Sequence, residues 1–180
     1  DGDPDYGRAV RTLLFGSDHE IITGARAATA QTPGGTGALR VAGDFIHQQL
    51  PESVIWLSEP TWANHPKVFE SAGVQVKTYP YFDSNSSNLD LDAMLAGIKQ
   101  VPSGDVMLLH GCCHNPTGVD PSPDQWRQIA DALFDRGIIP LIDFAYQGLG
   151  DGLELDGRGL LELSRPGSEL LVASSFSKNF

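Results

Sequence analysis

Apolar residues in this chain come in short unbroken runs, separated by stretches where they recur every three or four positions. The runs Ile21–Ala25, Val54–Ser58, Gln75–Tyr79, Val106–His110, Ile138–Asp143 and Leu170–Ser174 read as strands. Most lack alternation, which fits strands covered on both faces, because side chains pointing either way then meet protein. Between them the period lengthens to that of a helix. Thr36–Gln49 follows a glycine cluster, His65–Ala72 stops at Gly73, and Leu91–Gln100 gathers Leu91, Met94, Leu95 and Ile98 on one face. Ser122–Arg136 has the clearest ends: Ser122 as N-cap, Pro123 in the first turn, Gln125 to close a capping box, and Gly137 after the last residue. This alternation predicts an α/β fold, a mostly parallel sheet with helices on both faces. Ligands on such sheets collect at the carboxyl ends of the strands.

Composition narrows the partners. A formal net charge of −11 disfavours nucleic acid and anionic membrane surfaces. It leaves room for an anionic ligand, because backbone N–H groups can cradle a phosphate inside an acidic protein. No apolar run reaches the length of a membrane span. Cys112 and Cys113 are adjacent and have no other cysteine to pair with. The chain therefore has no disulfide framework, which favours a reducing, cytoplasmic setting. It begins Asp1-Gly2-Asp3-Pro4-Asp5 without methionine and ends at Phe180. It reads as one domain cut from a longer protein.

Five segments carry candidate chemistry, and each sits after a predicted strand. In Ser174-Ser175-Phe176-Ser177-Lys178 a lysine closes a strand end beside two hydroxyls. A desolvated lysine can form an imine with an aldehyde, and the serines can hold a phosphate on the same ligand; a lysine on a solvated loop is the plain alternative. Pro33-Gly34-Gly35-Thr36-Gly37 opens a helix. Glycines there let a backbone approach an anion, though the segment also reads as a simple turn and lacks the Walker A spacing. Asp143 ends an apolar strand, where a carboxylate needs a cation or several donors, and Tyr146 follows three residues on. A protonated pyridine nitrogen would be such a cation; capping the next turn is the alternative. His110-Gly111-Cys112-Cys113-His114-Asn115-Pro116-Thr117-Gly118 invites zinc, but its spacing matches no ordinary ligand pattern. Asn115 to Gly118 reads better as a rigid turn that holds an amide in the cleft. In Pro60-Thr61-Trp62-Ala63-Asn64-His65, Trp62 could stack on a flat ring and His65 could fix the charge of a buried carboxylate, or both could be core.

Together, and in this order, the five segments resemble the class I aminotransferases of pyridoxal-phosphate fold type I. They are closest to the aspartate and aromatic-amino-acid branch. The resemblance implies pyridoxal 5′-phosphate as cofactor, with Lys178 forming the imine (Schiff base) and then shuttling a proton. It implies that Asp143 keeps the pyridine nitrogen protonated, and that Asn115 and Tyr146 hydrogen-bond the ring oxygen and so lower the imine pKa. Trp62 would stack on the ring. Gly35, Thr36, Ser175 and Ser177 would hold the phosphate, with His65 and His110 behind Asp143. It further implies amino-acid and 2-oxo-acid substrates, 2-oxoglutarate among them, a homodimer, and no metal. Phe176, where many aspartate enzymes carry tyrosine, points to the aromatic branch. A phosphate-pairing arginine, a carboxylate-binding arginine, the small domain and the N-terminal arm fall outside these 180 residues. The expected unit is therefore a piece of the large, cofactor-binding domain, inefficient by itself. The same lysine and aspartate would also serve decarboxylation or β-elimination, and a folded piece that binds no cofactor is a third reading.

Overall fold

The computed structural model describes residues 2–180 of the chain. Its elements, in order, are α1 (Pro4–Phe15), α2 (Glu20–Thr23), α3 (Gly34–Gln49), β1 (Ile55–Glu59), α4 (His65–Ser71), β2 (Val76–Pro80), β3 (Phe82–Asp83), β4 (Asn88–Leu89), α5 (Leu91–Ile98), β5 (Val106–His110), α6 (Pro123–Arg136), β6 (Ile139–Phe144), α7 (Leu153–Asp156), α8 (Arg158–Leu163) and β7 (Leu171–Ser174). Five strands form one sheet in the order β2-β1-β5-β6-β7, and every neighbouring pair is parallel. β3 and β4 make a small separate antiparallel pair. The strand order reverses between β1 and β5, and that crevice is where a doubly wound sheet opens to a ligand.

Side-chain parity splits each strand between two cores. Met107, Leu109, Ile142 and Phe144 face one cluster with Trp126, Ile129 and Leu133 of α6 and Leu160 and Leu163 of α8. Val106, Leu108, Leu141 and Ala173 face the other, with Leu39 and Ile46 of α3 and Phe69 of α4. Period-two alternation of buried positions requires protein on both sides, and helices supply it. The same parity puts His110 and Asp143, two residues beyond Leu108 and Leu141, on the α3–α4 side.

The predicted strand Ile21–Ala25 is absent. Residues Glu20–Thr23 form a helical turn instead, and Ala25 takes a left-handed φ of 53°. His19 decides it: its Nδ1 accepts the Ile21 N–H at 3.2 Å, and its carbonyl accepts from Ile22 and Thr23. Two adjacent isoleucines are too short a run to outweigh that cap. The sheet accordingly has five strands rather than six. Beyond the free edge of β7 lies a cavity of about 900 Å³, bordered by residues 26–32 and α1. α3 begins at Gly34, two residues before its predicted start, so the glycine pair belongs to the helix.

Candidate active site

The functional candidates meet at the carboxyl edge of the sheet. Asp143 is the last but one residue of β6, and its side chain is 11% exposed. His65, fully buried at the start of α4, bonds Asp143 Oδ2 through Nε2 at 2.9 Å. Thr61 Oγ1 lies 2.7 Å from His65 Nδ1 and 3.2 Å from His110 Nε2, and the Asn115 backbone N–H donates to His110 Nδ1 at 3.3 Å. The two ends of this chain fix its polarity. A backbone N–H can only donate, so His110 Nδ1 accepts and its proton sits on Nε2. That proton goes to Thr61, the threonine hydroxyl donates to His65, and His65 Nε2–H donates to the carboxylate. Burial, reinforced by His114 and His65, lowers the His110 pKa to about 2, which keeps this ring neutral as the chain requires.

Three buried or nearly buried carboxylates make an instructive contrast. Asp105 has both oxygens engaged, by Val54 N–H at 3.0 Å and Trp56 Nε1–H at 2.8 Å. Asp156 accepts three backbone N–H bonds. Asp143 uses one oxygen; Oδ1 has no hydrogen bond among the described residues. A desolvated carboxylate with a free oxygen calls for a cationic donor.

A second cluster forms an anion cradle. α3 starts behind Pro33, which gives no side-chain cap; Gly34 N–H bonds Thr32 O at 3.0 Å, and the N–H groups that follow it have no side-chain cap. β7 runs alongside: a Cβ on Gly35 would lie 3.1 Å from Ser175 Oγ, and one on Gly34 would lie 3.4 Å from Ser177 Oγ. The bare glycine backbone and two hydroxyls thus enclose one small volume. Thr36 is exposed on the same first turn. Lys178 is exposed in the turn that follows Ser177, and Ser175 N–H still bonds Phe144 O at 3.2 Å, just past Asp143.

The rigid turn expected after β5 is present, and it is held by Asp120, Ser58 and Tyr81, which carry no local signal. Asp120 accepts the N–H groups of Cys113 (2.6 Å) and His114 (2.8 Å). His114 is clamped by Ser58 (3.0 Å) and Thr117 (2.8 Å) and stacks on Tyr81 at 4.0 Å. Burial lowers its pKa to about 4. Asn115 follows this histidine and is joined to Pro116 by a cis bond. Thr61 was likewise not singled out; its place between two histidines is a tertiary fact. With the ring nitrogens of His110 and His114 taken by hydrogen bonds, neither histidine is set up as a metal ligand, and both cysteine thiols are raised in pKa, chiefly by burial. Trp62 meets His65 edge-on at 5.2 Å.

Against known proteins, all 180 residues match the family described as aminotransferase class I and II. The chain belongs to that family. The aspartate aminotransferase of Escherichia coli is 50% identical over 180 residues, which is 100% of this chain and 46% of that protein. A crystal structure of an aromatic amino acid aminotransferase from Burkholderia cenocepacia superposes with a TM-score of 0.96 at 49% identity, covering 99% of this chain and 45% of that one. An aromatic-amino-acid aminotransferase from Burkholderia pseudomallei, described as covalently bound to pyridoxal phosphate, gives 0.96 at 39% identity, covering 98% of this chain and 44% of that one. This aminotransferase chain thus spans about half the length of the relatives it matches, and its parallel sheet with helices on both faces is theirs.

Proposed function

We propose that the full-length protein is a pyridoxal-phosphate aminotransferase that moves the amino group of aspartate or an aromatic amino acid to 2-oxoglutarate. The observation that carries this is Asp143: a nearly buried carboxylate, oriented by His65 and left with one oxygen for a cationic nitrogen. The residues present fit the cofactor. The uncapped start of α3 with Ser175 and Ser177 suits its phosphate, Asp143 its ring nitrogen, and the side chains of Asn115 and Tyr146 its ring oxygen. Bound there, the cofactor would supply an aldehyde for the substrate amine and an electron-poor ring to spread the negative charge left at the substrate's α-carbon.

The chain's own groups then have defined tasks. Asp143 would accept from the ring nitrogen, and the Thr61–His65 relay holds its carboxylate in place. The glycine cradle anchors the phosphate. Trp62 covers one ring face. Lys178 Nζ would hold the cofactor, and as a free amine it would take the substrate's α-proton as general base and return it as general acid. A homodimer is a further part of the reading, as is a cytoplasmic setting, which the name of an aspartate aminotransferase from Oryza sativa carries.

Full-length protein incubated with aspartate or phenylalanine and 2-oxoglutarate is expected to release glutamate. Borohydride reduction of the holoprotein is expected to leave a cofactor-sized mass on the peptide containing Lys178. Ammonia in place of glutamate, or an unmodified Lys178 peptide, would refute the proposal.

A further inference from the structure

The β6–β7 ladder ends at Phe144 and Ser174, and its last outlying bond is Ser175 N–H to Phe144 O. Tyr146 and Lys178 both lie past that point, on separate loops whose relative position the sheet does not set. One cross-tie joins them. Asn179 Nδ2 donates to the backbone carbonyl of Gln147 at 3.0 Å, linking the residue after Lys178 to the residue after Tyr146.

Both sides of this tie are braced. On the Lys178 side, Asn179 N–H and Phe180 N–H both bond Phe176 O, closing a tight turn around the lysine. On the Tyr146 side, Asp156 is 7% exposed and gathers the loop from within. Its Oδ2 accepts from Gly148 N–H (2.7 Å) and Gly150 N–H (3.1 Å), and its Oδ1 accepts from Asp151 N–H (2.8 Å). The loop is built for that grip. Gly148 has a φ of 92°, and a Cβ on Gly150 would lie 2.7 Å from Asp156 Oδ1. Gln147 is buried as well, with Nε2 donating to Leu153 O at 3.2 Å.

The tie also carries a cost. Asn179 Oδ1 and Gln147 Oε1 are buried with no hydrogen-bond partner among the described residues. Flipping the Asn179 amide would set two acceptors, its own oxygen and the Gln147 carbonyl, against each other, so Nδ2 must face Gln147 and the oxygen stays unpaired. A residue serving only as filler would not need an amide here.

We infer that Asn179, braced by Asp156, is a positioning residue that sets Lys178 against Tyr146. The inference rests on the proposed reading, in which Lys178 holds the cofactor and the Tyr146 hydroxyl donates to its ring oxygen. With the clasp cut, the two loops drift apart and that donor bond lengthens. Less negative charge on the ring oxygen is then neutralised by the tyrosine, so the proton on the lysine-linked nitrogen is held more tightly.

The test is a pH titration of the visible band of lysine-bound pyridoxal phosphate in the full-length protein, beside the thermal midpoint of the cofactor-free form. Asn179→Ala is expected to titrate about half a pH unit or more above the parent. Its cofactor-free midpoint should stay within about 2 °C, because one partly buried hydrogen bond is lost and an unpaired buried oxygen is removed with it. Asp156→Asn, which leaves the 177–180 turn untouched and loosens the other loop, should move the titration the same way. A folded Asn179→Ala or Asp156→Asn variant that titrates with the parent overturns the clasp alone. A parent with no visible band dependent on Lys178 overturns the underlying reading, and the clasp with it.

Discussion

At the scale of single residues, Asp143, Lys178 and the glycine pair could be picked out before any fold was known. Each is a chemical oddity where it stands: a carboxylate ending an apolar strand, a lysine after small hydroxyl residues, bare backbone before a helix. Thr61 and His114 could not, because a threonine and a histidine are ordinary anywhere until their partners are known. Asp143→Asn should keep the fold and lower kcat by about a hundredfold or more, since the amide cannot hold charge opposite the ring nitrogen; steady-state kinetics on the full-length protein checks it. The histidines predict a pH dependence. An unfolded chain takes protons on both rings near pH 6.5, whereas the folded protein resists them down to about 4 at His114 and about 2 at His110. The unfolded state therefore binds more protons below pH 6.5, and stability falls as pH drops from there. Each ring contributes a slope of up to about 1.4 kcal/mol per pH unit. Thermal midpoints between about pH 7.5 and about pH 4.5 should show the fall, and His114→Asn should make it shallower.

At the scale of elements, local signals succeeded where they were complete. α6 has the cap, the box and the left-handed Gly137 that its sequence announced. Ser122→Ala should cost about 1 kcal/mol of stability, read from denaturant midpoints. α1 carries the same kind of signal, with the Asp3 side chain accepting from the Asp5 and Tyr6 N–H groups and Pro4 in the first turn, inside a start notable by composition only for its acidity. α2 shows the opposite failure, where apolar composition suggested a strand and a capping histidine made a turn. α8 depends on something no local window contains. Gly159 lies against Trp126 of α6, and a Cβ there would come within 2.5 Å of the indole. Gly159→Ala should therefore destabilise by about 1–3 kcal/mol through overpacking, measured by thermal or urea unfolding.

At the scale of the whole molecule, the site is assembled from five chain segments spread from residue 34 to residue 179, and one edge of the sheet brings them together. The same topology leaves the outer edge of β7 unpaired beside a cavity of about 900 Å³. The Ser175–Lys178 segment follows the end of that strand, and the chain spans about half the length of the relatives it matches. The 180 residues expressed alone should accordingly transaminate no faster than free pyridoxal phosphate, in an assay coupled to glutamate formation. Normal turnover from those 180 residues would overturn this expectation.

The sequence by itself determined the layered α/β plan and the two ends of α6, and it displayed the lysine, the aspartate and the glycines as candidates. Periodicity, capping and unusual residue chemistry are local properties, and a linear chain displays them. Only the tertiary structure decided that the sheet has five strands, that Thr61 joins two histidines behind Asp143, and that Asn179 reaches Gln147. Those contacts depend on strand order and side-chain parity across segments far apart in the chain, and distance along a chain says nothing of which faces will meet.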